Sequence, residues 1–238
     1  MTRELVYGRQ PVREVLRAGK RQILELLVTE RALGAEPWLR EVSGLRVQVH
    51  REGRLTETAG TKEHQGVVAF CEPYRYAAAH EVAAGESALV VCLDQVTDPH
   101  NLGAVVRSAE GAGASGVVIT ERNAARVTPA VCKASAGAVE HLPVAVVVNL
   151  GRYLEEIKGP RLWVWAADGA AETPVWRADL TGSVALTFGA EGRGLRPGVR
   201  RACDDAFRVP LAGSVESLNV SVAAGVSLFE AARQRRHS

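Results

Sequence analysis

No apolar run in this 238-residue chain approaches the length of a membrane span; VAVVVNL, at 144–150, is about the longest. The opening MTRELVYGRQ lacks the apolar core that directs export. A cytoplasmic protein with no membrane association is therefore expected. The four cysteines, at 71, 92, 132 and 203, are scattered and form no CxxC. Cys92 and Cys132 lie in apolar surroundings, as buried, reduced thiols do. The six histidines make neither an HExxH nor a cluster with cysteine, so no metal is predicted. Internal repeats and low-complexity tracts are also missing. A net charge of only +2 does not by itself announce a nucleic-acid partner.

What is present is ordinary in bulk: 47% hydrophobic and 24% charged residues, in a chain long enough for two modest domains. Charge is unevenly spread. Residues 1–76 carry 13 Lys and Arg against 10 Asp and Glu, whereas the remainder carries 16 against 17. Of the 29 basic residues 25 are arginine, whose planar fork donates in pairs and suits phosphate, although genome composition produces the same bias.

Periodicity predicts two α/β regions. In residues 1–72, PVREVLRAG (11–19) reads as an amphipathic helix, QILELLV (22–28) as a strand, EPWLREVS (36–43) as a helix, and LRVQVH (45–50) and GVVAFCE (66–72) as strands. Residues 73–87, rich in alanine and polar side chains, read as a linker. From 88 to 238 helices alternate with near-continuous apolar strands, ALVVCLD (88–94), GVVIT (116–120), LPVAVVV (142–148), RLWVWAA (161–167) and SVALTFG (183–189). Such strands belong in a parallel sheet covered on both faces. FRVP is a last short strand, and 217–235 the last helix.

Three strand-end segments carry chemistry. Residues 209–236, VPLAGSVESLNVSVAAGVSLFEAARQRR, set Ser214, Ser217 and Asn219 where a strand feeds the last helix; either they cap it or they face a ligand. FGAEGRGL (188–195) offers glycines that allow close backbone approach, beside Glu191 and Arg193, or simply turns the chain. In LDQVTDPHNLGAVVRSAEGAG (93–113) a helix should start near Leu102, with Asn101 as a cap or a site residue. Arg107 is the only charged residue between Asn101 and Glu110, and an arginine in so apolar a stretch is usually paired or functional. GAGASG (111–116) matches GxGxxG but closes a helix before a strand, the reverse of a dinucleotide fingerprint. It reads as a helix-ending turn. Near the N-terminus Arg9, Arg13, Arg17, Lys20 and Arg21 gather about the first helix, as an RNA-binding strip or as a solvated face.

NLGAVVRSAEGAG, FGAEGRGL and VPLAGSVESLNVSVAAGVSLFEA, in that order, resemble the three signature motifs of the SpoU branch of the SPOUT RNA methyltransferases. YGRQPVREVLRAG and KEHQGVVA (62–69) resemble the L30e-like substrate-binding domain of many members. The resemblance implies an α/β fold with a deep trefoil knot in a C-terminal parallel-sheet domain, and S-adenosyl-L-methionine held by Gly189, Val209, Leu211 and Leu218. It places Asn101, Arg107, Glu191, Ser217 and Asn219 at the family's catalytic positions, in a homodimer packed through the knotted region. Leu211 stands where many relatives have methionine, and His141 where others have a small residue.

The implied reaction is methylation of a ribose 2′-hydroxyl in RNA, with a guanosine of 23S ribosomal RNA the main expectation. The same chemistry on tRNA or on another ribosomal nucleotide, and a non-catalytic ribosome-assembly factor, are the alternatives. Arg107 is either the base, as in descriptions of relatives, or, because a guanidinium stays protonated, the group that stabilises developing alkoxide charge and grips phosphate.

Overall fold

A computed structural model describes residues 2–42, 44–190 and 192–236. The chain divides into two compact units. The first comprises the chain up to Arg75 together with Val127–His141. Its sheet has the order β1-β4-β2-β3, with β1 (Glu4–Tyr7) and β2 (Ile23–Val28) antiparallel to β4 (Val67–Cys71), and β3 (Val47–Val49) parallel to β2. Helices α1 (Arg9–Ala18), α2 (Glu30–Ala35), α3 (Trp38–Glu41) and α4 (Glu52–Ala59) link these strands, and Tyr7, Leu27, Leu55 and Val68 form a core cluster. Strand β1 and helices α2 and α4 were not anticipated; the predicted helix at 36–43 shrinks to α3.

The second unit, Tyr76–Arg126 with the chain from Leu142 on, holds a seven-stranded parallel sheet of order β7-β6-β5-β10-β8-β11-β9. Its strands are β5 (Leu89–Asp94), β6 (Gly116–Thr120), β7 (Val144–Val147), β8 (Leu162–Ala167), β9 (Thr173–Pro174), β10 (Ser183–Gly189) and β11 (Asp205–Arg208). The helices are α5 (Ala79–Val82), α6 (Pro99–Gly111), α8 (Leu150–Ile157), α9 (Pro197–Ala202) and α10 (Val220–Arg235); α7 (Pro129–Ala134) lies in the first unit. Central strands β5, β6 and β10 are buried almost throughout, as their unbroken apolar sequences require. GAGASG does end α6, with Gly113 at φ 77° before β6.

Two boundaries differ from the sequence reading. Residues 76–87 are not a free linker: the Ala77 N–H donates to Val144 O at 2.9 Å, and Val82 is buried over β6. A Cβ on Gly116 would stand 2.8 Å from Val82 Cγ1, so glycine there makes room for α5. Val127–His141, expected within the C-terminal region, packs instead in the first unit. Gly137 abuts α1, where a Cβ would come 2.6 Å from Glu14 Cβ, and Glu140 forms a buried ion pair with Arg21. No helix of the described residues is long and apolar enough to cross a membrane.

Candidate active site

Strands β10, β8 and β11 end side by side, where an open parallel sheet forms ligand crevices. The loops that follow them, with the segment entering α10, enclose a cavity of about 440 Å³. Phe188 and Phe207, packed edge to face at 6.4 Å, contribute its apolar wall. Gly189, Val209, Leu211, Ser217 and Leu218, all singled out from the sequence, line it together, and the carboxylate residues Asp168 and Glu216 border it.

The glycine loop is shaped by its own backbone. The Gly194 N–H donates to Ala190 O at 2.9 Å, with Gly194 at φ 63°. A Cβ on Gly189 would lie 2.1 Å from the Gly194 carbonyl carbon and 2.4 Å from Leu195 N, so Gly189 is demanded by the loop's return. Asp94, 1% exposed at the end of β5, anchors the far side of that loop. Its carboxylate accepts from Arg196 N at 2.9 Å and from Arg196 Nε at 2.8 Å. Sequence reasoning missed this anchor, whose only signal was a carboxylate closing the apolar run ALVVCLD.

Asn101 does not cap a helix. Asp98 does so for α6, its Oδ1 accepting from His100 N at 2.9 Å with Pro99 in the first turn. Asn101 is left inside the first turn, 9% exposed, with its Oδ1 accepting from Asn219 Nδ2 at 3.0 Å. Asn219 also caps α10, its Oδ1 accepting from Ser221 N at 2.8 Å. One amide thus caps a helix and joins the first and third motifs. A second cavity, of about 530 Å³, lies at Asn101 and shares Ala190 and Val220 with the first.

Arg107 is not gathered into this arrangement. It stands on the exposed side of α6 and lines neither cavity. Glu191 lies outside the described residues.

In the first unit the basic strip changes membership. Arg21, taken from the sequence as an RNA contact, is 6% exposed. Its Nε donates to Glu140 Oε2 at 3.0 Å, Nη2 pairs with the same carboxylate, and Nη1 meets Glu4 at 3.3 Å. Burial opposes the charge, but the Glu140 bond and charge outweigh it and hold the guanidinium protonated. Arg21 is therefore a structural cation, because its partners close it off from solvent. Arg9 pairs with Glu36 at 3.2 Å, Arg17 with Glu14 at 3.2 Å, and Lys20 donates to His141 O at 2.7 Å; Arg13 is half-buried. Arg9 also borders a cavity of about 810 Å³ with Arg31, His50 and Arg51, residues from separate segments that no local pattern groups.

Comparison with known proteins bears on both units. Residues 88–229 match the model of the SpoU rRNA Methylase family, and residues 5–77 match that of RNA 2′-O ribose methyltransferase substrate binding. The 23S rRNA (guanosine-2′-O-)-methyltransferase RlmB of Photobacterium profundum is 37% identical over 244 residues, covering 99% of this chain and all of its own. RlmB of Xylella fastidiosa is 45% identical over 197 residues, 81% of this chain and 79% of that one. The crystal structure of the SpoU methyltransferase AviRb from Streptomyces viridochromogenes with AdoMet superposes with a TM-score of 0.85. It has 27% identity and covers 98% of this chain and 91% of that one. The cavity at the glycine loop and the Asn101–Asn219 bond thus sit within the residues matched by the SpoU rRNA Methylase family. The chain belongs to the SpoU rRNA methylase family and is an RNA 2′-O-methyltransferase.

Proposed function

We propose that this protein transfers a methyl group from S-adenosyl-L-methionine to the ribose 2′-hydroxyl of a guanosine in 23S ribosomal RNA, in the cytoplasm. The observation that carries the reading is the pair of adjoining cavities at one sheet edge, walled by Ala190 and Val220 and bridged by Asn101 and Asn219. The names of the RlmB relatives supply the nucleotide and the RNA. S-adenosylmethionine fits the 440 Å³ cavity in size. Glu216 and Asp168, the latter paired with Arg200 at 3.5 Å, border it together with Arg208, charges of both signs that suit a ligand with cationic groups and a carboxylate. When bound, it supplies a methyl group already activated on a sulfonium.

The chain's residues then divide the work. Gly189, Val209, Leu211 and Leu218 hold the cofactor, largely through backbone. Asn219 and Asn101 fix the third motif against the first, and Ser217 and Glu191 orient the ribose or the loops around it. Positioning of this kind lowers barriers by about 7–11 kcal/mol in favourable cases. Arg107 steadies the alkoxide that develops at the 2′-oxygen and grips the adjacent phosphate, which takes up the proton. A homodimer packed through a knotted C-terminal domain is part of this reading, and the exposed position of Arg107 supports a partner surface at α6. Val222, Val226 and Phe229 make an exposed apolar stripe on α10, 49%, 42% and 55% accessible, and Phe229 leans within 3.8 Å of where a Cβ of Gly111 would be. Gly111 follows Arg107 by one helical turn, so a second copy seated on the stripe also covers Arg107. Residues 1–72, through Arg9, Arg13, Arg17 and Lys20, bind the RNA; 88–238 carry the chemistry.

The test is transfer of tritiated methyl from S-adenosylmethionine to 23S ribosomal RNA and, separately, to tRNA, with the labelled nucleotide mapped by primer extension. Label on a single 23S guanosine is expected. Label confined to tRNA moves the target, and cofactor binding without transfer to either RNA overturns the enzymatic reading.

A further inference from the structure

The second cavity holds polar groups that the reaction as described does not use. It opens at the carboxyl ends of β5 and β6, beside the cofactor cavity, and its polar walls are Gln95, Thr97, Asp98, Asn101, Asn123 and Arg193. The two loops that supply most of these are tied together, the Ala125 N–H donating to Val96 O at 2.8 Å. Each loop holds one residue in the left-handed region, Gln95 at φ 59° and Asn123 at φ 54°. Asparagine visits that conformation readily because its short amide bonds locally, whereas glutamine is strained there. Both positions carry a primary amide, and both amides border the same cavity. A strained residue retained at a concavity, as Gln95 is here, is the pattern of a binding site.

The donor and acceptor set has a definite complement. Asp98 offers a carboxylate with acceptor capacity beyond its bond to His100 N. Gln95 and Asn123 each offer two N–H donors and a carbonyl. Guanine presents N1–H and N2–H₂ donors beside the O6 acceptor along one edge. Adenine presents an acceptor at N1, which would face the carboxylate. Proteins read RNA bases in this way when the base is unstacked and its edge exposed.

Resting on the methyl-transfer reading, we propose that this cavity receives the base of the nucleotide to be methylated and selects guanine, Asp98 accepting from N1–H and N2–H₂ while the Gln95 and Asn123 amides donate to O6 and N7. The shared wall at Ala190 and Val220 then sets the base in one cavity and the methyl donor in the next, with the ribose between them. Gln95 and Asn123 are specificity residues, outside the set assigned to the chemistry.

Two variants test this. Gln95→Gly with Asn123→Gly removes both amides while relaxing the backbone, and Asp98→Asn keeps a good helix cap but turns half of the acceptor into a donor. Substrates are 23S rRNA transcripts with guanosine or adenosine at the mapped position. Wild type is expected to prefer guanosine by at least about 100-fold in kcat/KM, since the Asp98 carboxylate, exposed in the free protein, would be covered by the bound base and left mispaired against adenine. Asp98→Asn should cut that preference to about 10-fold or less, and the double glycine variant should raise the KM for RNA about 10-fold. The dissociation constant for S-adenosylmethionine, from equilibrium dialysis, should stay unchanged in both and reports an intact fold. Wild-type preference and KM in both variants, or equal use of the two transcripts by wild type, overturns the base pocket alone. Absence of transfer by wild type to any RNA overturns instead the reading on which it rests.

Discussion

Asn219 is the residue whose replacement separates architecture from chemistry. Its Oδ1 caps the 16-residue helix α10 through Ser221 N at 2.8 Å, and its Nδ2 donates to Asn101 at 3.0 Å. Asn219→Ala removes both roles. Loss of a cap costs about 1 kcal/mol, and stripping a donor from a nearly buried acceptor costs about 1–3 kcal/mol, so about 2–4 kcal/mol is expected. Asn219→Asp keeps the cap, because Asp and Asn cap equally well, and loses only the donor, for about 1–3 kcal/mol. Trp165, buried beside Phe207 in the second unit, reports unfolding in urea by its fluorescence. Stability should fall in the order wild type, Asn219→Asp, Asn219→Ala, while methyl transfer drops sharply in both variants. An Asn219→Asp protein with the wild-type midpoint and wild-type turnover would refute the claim that this bond aligns the site.

Other perturbations probe other parts. Arg107→Lys keeps a positive charge but loses the planar fork, so kcat should fall about 10²–10³-fold with S-adenosylmethionine affinity intact; wild-type turnover removes Arg107 from the chemistry. Gly189→Ala forces a methyl group to within 2.1 Å of the Gly194 carbonyl carbon, and the displaced loop should weaken cofactor binding by about 10-fold or more in equilibrium dialysis. Glu140→Ala leaves Arg21 buried with its main partner gone, at a cost of about 3–5 kcal/mol in urea unfolding. Arg21→Met with Glu140→Leu should recover most of that loss; no recovery means that the site is sensitive to shape rather than to charge.

The parallel sheet was legible because a strand buried on both faces needs an unbroken apolar run, and ALVVCLD, GVVIT and SVALTFG each became one. The cavity at the glycine loop was legible too, since its lining comes from strand ends and glycine turns that punctuate the sequence. The start of α6 was misread because Asp98-Pro99 and Asn101 are competing start signals, and aspartate followed by proline at the first helical position prevailed. That error left Asn101 as a rival cap, although its partner lies 118 residues away. Strand β1 is four residues long and exists through antiparallel pairing with β4, which local sequence does not encode. Likewise nothing around Val127–His141 announces that it completes the first unit. The reasons, Gly137 against Glu14 and Glu140 against Arg21, are contacts between residues about 120 apart.

The separation of Arg107 from the two cavities has its own consequence. Asn101, Ser217 and Asn219 are held at the cavities within one chain, while Arg107 points outward beside an uncovered apolar stripe. If a second copy covers that stripe, Arg107 acts on the site of its partner. Mixing two inactive proteins decides the point. Arg107→Ala and Asn219→Ala subunits, unfolded together and refolded, give heterodimers as about half of all dimers in a symmetric pair. With action across the interface, one of the two sites in each heterodimer draws a wild-type Arg107 and a wild-type Asn219 from different subunits, and activity returns to about a quarter of wild type. With action within a chain, every site in every combination carries one defect, and nothing returns. A mixture that stays inactive, while each variant still binds S-adenosylmethionine and still dimerises, would place Arg107 in its own subunit's site and require the α6 helix to move inward for catalysis.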